Sequence, residues 1–195
     1  TGSNAPGGGA DVVLRGHGAE GGTGRMGRPW RGAFRGAAFL PSSAESRNGP
    51  AGMLVHGSCA SRDGAAVLLL GPSGSGKSDL LLRLLARGWA LVADDQVMVE
   101  GLDVSAPAVL RGMVEVRGLG IFEGVPVAAS ARLALAVELV ARAGVERLPV
   151  PAVWAPAGVP LVALDGFEGS ACEKVDWALD GALGLRRQRA GAFAA

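Results

Sequence analysis

One short segment restricts what this chain can fold into more than any other feature. Residues 71–78 read Gly-Pro-Ser-Gly-Ser-Gly-Lys-Ser and match the P-loop pattern G-x-x-x-x-G-K-[ST]. The apolar run at residues 65–70 predicts a buried strand directly before this segment, and residues 79–87 predict a helix that ends at Gly88. A P-loop requires this strand–loop–helix setting, so the sequence predicts an α/β domain with a phosphate-binding loop.

Each residue type in the loop suits the binding of phosphate. Glycines let backbone N–H groups turn inward around a phosphate, and the N-terminus of the following helix adds a favourable dipole. Lys77 is expected to face solvent and reach the outer phosphates, and the Ser78 hydroxyl is expected to bind Mg²⁺. The sequence thus predicts a nucleotide site made of Gly71, Pro72, Ser73, Gly74, Ser75, Gly76, Lys77 and Ser78.

Two adjacent carboxylates follow the next apolar segment. Asp94 and Asp95 end the run at residues 89–93, and in P-loop folds the carboxyl ends of strands face the nucleotide. A carboxylate there can hold Mg²⁺ or accept a proton from an attacking hydroxyl; the alternative is a turn-forming Asp pair. His56 precedes the P-loop strand and can point at the same phosphate end, the alternative being a structural histidine.

A second acidic candidate lies further along the chain. Glu115 and Arg117 flank Val116 and so share one face of a predicted strand. Either the two side chains pair with each other, or one binds a metal and the other an oxyanion. Gly118 and Gly120 would allow the backbone to approach a ligand closely.

Other segments predict the surrounding secondary structure. Residues 53–70 predict a hairpin that turns near Gly64. Residues 132–140 are ambiguous, because their Ala and Leu content favours a helix while their apolar residues alternate as in a strand. Residues 170–179 predict a helix with Ser170 as its N-cap and Glu173 at the third helical position.

Composition and charge exclude several classes of protein. The formal net charge is +1, from 19 basic and 18 acidic residues, which predicts no nucleic-acid partner. Cys59 and Cys172 form no CxxC pair, which is typical of a reduced, cytosolic protein. No apolar run is long enough to span a membrane, and no charged-then-apolar leader opens the chain, so neither a membrane span nor a secretory signal is expected.

The chain divides into three segments. Residues 1–50 are rich in glycine and arginine and lack a periodic apolar pattern, which predicts disorder; the alternative is a basic arm built from Arg25, Arg28, Arg31 and Arg35. The folded domain is expected to span residues 51–182. Residues 183–195 are expected to form a frayed tail.

Taken together, these segments resemble HPr kinase/phosphorylase. The resemblance rests on His56-Gly57, the loop GPSGSGKS, the run Leu-Val-Ala-Asp-Asp at residues 91–95, and Val-Glu-Val-Arg-Gly-Leu-Gly-Ile at residues 114–121. The last stretch is similar to that family's own signature, and the spacing of His56, Ser78 and Asp95 is the one its pattern expects. The resemblance covers about residues 51–180 and implies a P-loop NTPase-like kinase domain with a mixed sheet and flanking helices.

The resemblance also implies a role for each candidate residue. The loop at residues 71–78 would bind ATP, and Ser78 and Glu115 would hold Mg²⁺. Asp95 would take the proton from the target serine of HPr, and in the reverse reaction it would act as an acid or activate phosphate. His56 would orient or polarise Asp95, Lys77 would neutralise the transferred phosphoryl group, and Arg147 would be a further catalytic arginine.

The predicted function is therefore ATP-dependent serine phosphorylation of an HPr-like phosphocarrier of the phosphotransferase system, in a homohexamer by resemblance. The Gly-rich start does not match the separate N-terminal domain of the family's long form, so the chain resembles the short form seen in some proteobacteria. Residues 155–160 lack the arginine-bearing Pro-Gly turn of the long form, which leaves the reverse activity open. The alternatives are a small-molecule P-loop kinase and a nucleotide-dependent regulatory module.

Overall fold

The computed structural model describes residues 52–194, so the expectations for residues 1–50 lie outside the described part of the chain. This part of the chain contains eleven strands and two α-helices. Their bounds are β1 Met53–His56, β2 Ser58–Arg62, β3 Ala65–Leu70, α1 Lys77–Leu85, β4 Ala90–Ala93, β5 Gln96–Glu100, β6 Asp103–Ser105, β7 Val114–Val116, β8 Gly120–Phe122, β9 Ala131–Leu139, β10 Ala152–Trp154, β11 Val159–Leu164 and α2 Ala171–Ala182. Short 3-10 helices occupy Ala108–Leu110 and Arg142–Gly144.

The strands form one mixed nine-stranded sheet and a separate two-stranded hairpin of β7 and β8. The large sheet runs in the order β1-β5-β6-β9-β3-β2-β4, and β11 extends it by pairing with both β9 and β10. The predicted α/β class, with a mixed sheet and helices beside it, is confirmed. The strand ambiguity at residues 132–140 is settled as well, because β9 is a nine-residue strand at the centre of the sheet.

Because of the directions of the strands, five of the connections between elements lie at one end of the sheet. β9 runs parallel to both β3 and β11, and β3 and β4 are each antiparallel to β2, which lies between them. The carboxyl ends of β3, β4, β9 and β11 therefore meet at the end where β2 begins. We call this the P-loop edge, and it is where ligands bind in open α/β sheets.

The predicted hairpin over residues 53–70 is wrong in its first strand. The hairpin consists of β2 and β3, paired from Ser58↔Leu69 to Arg62↔Ala65. β1 pairs instead with β5, with His56 opposite Gln96. Gly57 lies between β1 and β2, where the chain changes partner strands. A Cβ there would lie 2.7 Å from the Leu69 carbonyl oxygen, so this position requires a residue without a side chain.

Hydrophobic cores lie on both faces of the sheet. One core packs α1 and α2 against β3 and β9 and includes Leu80, Leu84, Leu135 and Val175, all fully buried. The other lies on the opposite face, where β5 and β6 cover β2 and β3. Because both faces of β9 are buried, the residues in the middle of the strand are all apolar, and the alternation of apolar residues extends beyond them.

Both cysteines are buried in these cores. Burial raises the pKa of the Cys59 thiol far above its ordinary value and also raises the pKa of Cys172. Both side chains are therefore protonated thiols that pack as small apolar groups and are poor nucleophiles.

The helix predicted at residues 170–179 is confirmed as α2, with Ser170 at the N-cap position and Glu173 in the first turn. The Ser170 hydroxyl makes no capping hydrogen bond there. The residues after α2 also differ from the predicted frayed tail. Ala192 is buried, and the Phe193 ring packs against Gly181. No helix in residues 52–194 has the length and apolar character needed to cross a membrane.

Candidate active site

The P-loop joins β3 to α1 and is shaped by three glycines in the left-handed region. The φ angles of Gly71, Gly74 and Gly76 are 137°, 81° and 93°. A Cβ on Gly71 would lie 2.7 Å from Ser75 Oγ and 2.8 Å from the Leu139 carbonyl oxygen, so this glycine lets the loop turn tightly against β9. A Cβ on Gly74 would meet nothing within 4 Å. Gly74 is therefore required by its backbone angle alone.

Lys77 lies inside the loop, which corrects the expectation that it faces solvent. The residue is 8% exposed, and its Nζ donates hydrogen bonds to the carbonyl oxygens of Gly71 at 2.8 Å and Pro72 at 3.0 Å. The first turn of α1 directs the side chain back over the preceding loop, as helical geometry dictates. These two carbonyls hold the ammonium group in the concave side of the P-loop.

The loop residues fit a phosphate group. Ser75 Oγ is buried and has no hydrogen-bond partner within residues 52–194, so a donor hydroxyl is available on the inner side of the loop. Lys77 supplies a positive charge beside it, and the N-terminus of α1 follows directly. A buried hydroxyl, an ammonium group and a helix N-terminus together favour an anion.

Asp94 is the carboxylate nearest to the P-loop serine. Its Oδ1 accepts a hydrogen bond from Ser58 Oγ at 2.8 Å and lies 3.5 Å from Ser78 Oγ. Burial raises the pKa of Asp94, and hydrogen bonds from the Ser58 hydroxyl and from the backbone N–H groups of Asp95 and Glu115 oppose that rise. Asp94 therefore joins two elements of the P-loop edge, β2 and α1.

Asp95 lies beside His56. The Asp95 backbone has φ 69°, an angle that is uncommon outside glycine. His56 Nδ1 lies 3.4 Å from Asp95 Oδ1 and 3.1 Å from the Asp95 carbonyl oxygen. The Asp95 side chain is 75% exposed and that of His56 is 60% exposed, so both can meet a macromolecule in solvent.

Glu115 lies on β7, exposed, and opposite Ile121 of β8. The alternative that Glu115 pairs with Arg117 is not seen, because no ion pair joins them in the described part of the chain. Val116 and Gly120 pair across the hairpin, which places Arg117 in its turn. β7 packs against α1, so the hairpin that carries Glu115 and the P-loop edge are in contact.

The elements do not bring three acidic or histidine side chains together. No group of three or more His, Cys, Asp or Glu side chains suited to a metal occurs within residues 52–194. Arg147 follows β9 at the P-loop edge and is exposed. It forms no ion pair with another residue of that range.

The connection that follows β11 packs against the P-loop. A Cβ on Gly166 would lie 2.8 Å from the Ser75 carbonyl oxygen, and the Phe167 ring lies 3.2 Å from where a Cβ of Gly76 would be. The Arg83 guanidinium, from α1, donates to the carbonyl oxygens of Gly166 and Glu168. Asp165 Oδ1 accepts the Phe167 N–H at 3.0 Å. We call residues 165–168 the covering loop.

Sequence reasoning did not identify Ser58, Arg83 or Phe167 as members of the site. Ser58 sits two residues after His56, and its contact with Asp94 depends on the register of β2 with β4. Arg83 and Phe167 belong to segments far apart in the chain. The available signal was the polar Asp165-Gly166 pair at the end of an apolar strand, which predicts a connection at the same edge as the P-loop once the strands are known to be parallel.

This fold and this edge define a P-loop α/β domain. Residues 51–147 match the family model described as HPr Serine kinase C-terminal domain. Residues 51–147, which include the P-loop, Asp94, Asp95 and Glu115, therefore form a domain of that family.

Similar proteins agree with this assignment. The chain is 45% identical over 74 residues to the HPr kinase/phosphorylase of Caldanaerobacter subterraneus, with 35% of this chain and 24% of the relative covered. It is 43% identical over 113 residues to the HPr kinase/phosphorylase of Bordetella petrii, with 49% and 36% covered. The chain thus spans only about a quarter to a third of the length of these relatives.

A solved structure matches over more of the chain. The HPr(Ser) kinase/phosphatase of Coxiella burnetii superposes with a TM-score of 0.57 at 25% sequence identity, and the match covers 68% of this chain and 91% of that one. The two proteins therefore share their fold over about two thirds of this chain.

Proposed function

We propose that this protein transfers the terminal phosphoryl group of ATP to a serine hydroxyl of an HPr-like phosphocarrier protein. The observation that carries the proposal is the arrangement of the P-loop edge: an exposed carboxylate, Asp95, follows β4 at the same edge of the sheet as Lys77, the buried lysine of the P-loop, and residues 51–147 match the HPr serine kinase family. An exposed base suits an acceptor that is itself a folded protein. A small-molecule kinase more often encloses its acceptor in a pocket.

In the proposed transfer, the serine hydroxyl attacks the terminal phosphorus while the bond between that phosphorus and the oxygen of ADP breaks. The serine proton passes to the Asp95 carboxylate, and ADP leaves. His56 positions Asp95, and Lys77 neutralises charge on the phosphoryl oxygens. Arg147 is proposed as a second cation at the same edge, since it follows β9.

Magnesium binding is proposed for the oxygen ligands near the P-loop. Hydroxyl and carboxylate oxygens are the ligands that Mg²⁺ prefers, usually with phosphate oxygens and water completing the shell. Ser78 and Glu115 would supply two of them, and Asp94 can hold a third position through its contact with Ser78. Bound Mg²⁺ would neutralise charge on the phosphates.

Several wider properties belong to the same proposal. We infer that residues 51–182 form the catalytic domain, that the protein acts in the cytoplasm without a membrane or nucleic-acid partner, and that it assembles as a homohexamer. The reverse reaction, removal of phosphate from the phosphoserine, would use Asp95 as the acid. The near-zero net charge of +1 supports a protein acceptor over a polyanionic one.

Phosphoprotein mass spectrometry tests the proposed activity. The protein is incubated with Mg·ATP and HPr-like carriers, with and without a carrier whose target serine is replaced by alanine. We expect one phosphate on the serine carrier and none on the alanine carrier. ATP binding without transfer to any carrier would instead support a regulatory module, and transfer to small hydroxyl compounds alone would support a small-molecule kinase.

The metal proposal has its own prediction. Ser78→Ala and Glu115→Ala should each raise the Mg²⁺ concentration needed for half-maximal transfer. We expect an increase of about tenfold, because each variant removes one interaction with a charged group. Both side chains are exposed, so melting temperature should change little. Glu123→Ala, another exposed acidic residue close in sequence, is the matched control. A normal Mg²⁺ titration for Glu115→Ala would remove Glu115 from the metal site.

A further inference from the structure

The two sides of the P-loop differ in chemistry. In the sheet, β2 and β4 lie on one side of β3, and β9 and β11 lie on the other. The β2–β4 side carries the hydroxyl and carboxylate groups of Ser58, Asp94 and Asp95. The β9–β11 side carries the covering loop, with the aromatic ring of Phe167 against Gly76. A ligand lying along the loop would therefore meet polar oxygens on one side and an aromatic ring on the other.

Phe167 is a large apolar side chain that is left 64% exposed. One part of its ring contacts the backbone of Gly76, the last glycine of the P-loop, and the rest faces solvent. Aromatic side chains are usually buried, and an exposed one beside a concave polar site is typical of a binding surface. Scattered exposed apolar residues need no explanation, but the backbone that carries this ring is held in a fixed place.

The covering loop holds the backbone that carries the ring through several independent contacts. Arg83 donates to two of its carbonyl oxygens, and Asp165 accepts the N–H of Phe167. Lys174 of α2 forms an ion pair with Glu168 at the other end of the loop. Gly166 is buried against Ser75 and Leu139. The backbone of Phe167 is thus held by α1, α2 and the P-loop together, which lowers the entropic cost of stacking an aromatic ligand on its ring.

We propose that Phe167 is the stacking surface for the base of the nucleotide. This inference rests on the proposed binding of a nucleoside triphosphate at residues 71–78 and names the residue that holds its aromatic end. The base is the one aromatic part of such a ligand, and the covering loop is the aromatic side of the P-loop. Stacking on a phenyl ring is tolerant of base identity, so Phe167 adds affinity for any nucleoside triphosphate and little selectivity among bases.

The test compares ligands with and without a base. Dissociation constants are measured for ATP and for inorganic tripolyphosphate, with the intact chain and with Phe167→Ala and Phe167→Leu. We expect Phe167→Ala to weaken ATP binding about tenfold, as alanine substitution does for other base-stacking aromatics, and to leave tripolyphosphate binding unchanged. Phe167→Leu keeps an apolar contact with Gly76 and should still lose most of the ATP affinity, because leucine has no ring.

Trp177→Ala is the matched control, because Trp177 is an aromatic side chain of similar exposure, 61%, on α2, where it stacks with Arg186. It should bind both ligands normally. If Phe167→Ala weakens ATP and tripolyphosphate equally, the ring only supports the P-loop and the inference is wrong. If it binds ATP normally but loses transfer to the carrier, Phe167 contacts the acceptor protein instead. A wild-type chain that binds neither ligand would contradict the proposed function itself.

Discussion

Asp95→Asn should abolish most phosphoryl transfer while leaving ATP binding intact. A general base contributes about 10²–10⁴-fold to such a reaction, so the single-turnover rate should fall by a factor in that range. Asparagine has nearly the same shape as aspartate and tolerates the left-handed backbone angle of 69° at this position. The substitution therefore removes the proton acceptor and little else. Single-turnover phosphorylation of the carrier protein, with ATP affinity measured in parallel, provides the readout.

Asp94→Asn is the matched control, because it makes the same change one residue earlier. Asp94 accepts hydrogen bonds from Ser58 and approaches Ser78, so its loss should alter the Mg²⁺ requirement more than the rate at saturating Mg²⁺. His56→Ala should reduce transfer less than Asp95→Asn, since His56 positions the carboxylate and does not replace it. If Asp94→Asn loses transfer and Asp95→Asn does not, the two neighbours have the opposite roles.

Asp94 and Asp95 make different contacts, and this difference shows what the sequence can and cannot specify. An Asp pair after an apolar strand, downstream of a P-loop, predicted carboxylates at the phosphate end of the sheet. The pattern does not specify which of the two lies near Ser78. In the structure it is Asp94, whereas Asp95, which has a positive φ, lies beside His56, and the Gly57 N–H and His56 Nδ1 both approach its carbonyl oxygen. Such a contact between distant segments cannot be predicted from local sequence patterns.

Strand partners were predicted less well than strand positions. Apolar runs located β3 and β4, because a buried strand must be apolar wherever it lies in the sheet. The pairing of β1 with β5 joins residues about forty positions apart, from Met53↔Val99 to His56↔Gln96, and no periodicity in either strand identifies the other. The hairpin expectation failed for this reason. It assumed that neighbours in sequence are neighbours in the sheet.

The covering loop was missed for a related reason. Its contacts come from Arg83 on α1, Lys174 on α2 and the P-loop, so its place depends on three segments that meet only in the folded chain. Arg83 also forms an i,i+4 pair with Asp79, which is the only partner a helical pattern would predict for it. A sequence motif identifies the residues that bind phosphate through their own backbone, whereas the residues that surround the motif are assigned by topology.

Lys77→Ala should cause the second large loss, in this case of ATP binding as well as turnover. Lys77 is held inside the P-loop by the carbonyl oxygens of Gly71 and Pro72, where its charge is shielded from water and would face the phosphates of the proposed nucleotide. Hydrogen bonds to charged groups contribute about 1.5–3 kcal/mol, which corresponds to roughly a 10–150-fold weaker dissociation constant for ATP. Isothermal titration of Mg·ATP measures this loss directly.

The burial of Lys77 calls for a control that separates charge from packing. Lys77→Met keeps an unbranched side chain of similar length in the loop and removes only the ammonium group. Both variants should lose ATP affinity, but Lys77→Met should retain the melting temperature more closely, because it fills the space that alanine leaves open. Pro72 is exposed, so water can replace the ammonium at its carbonyl oxygen, and the loss of stability should stay small. Normal ATP affinity in Lys77→Met would show that the side chain only shapes the loop, and the charge would then have to come from another residue at the P-loop edge, with Arg147 the first to test.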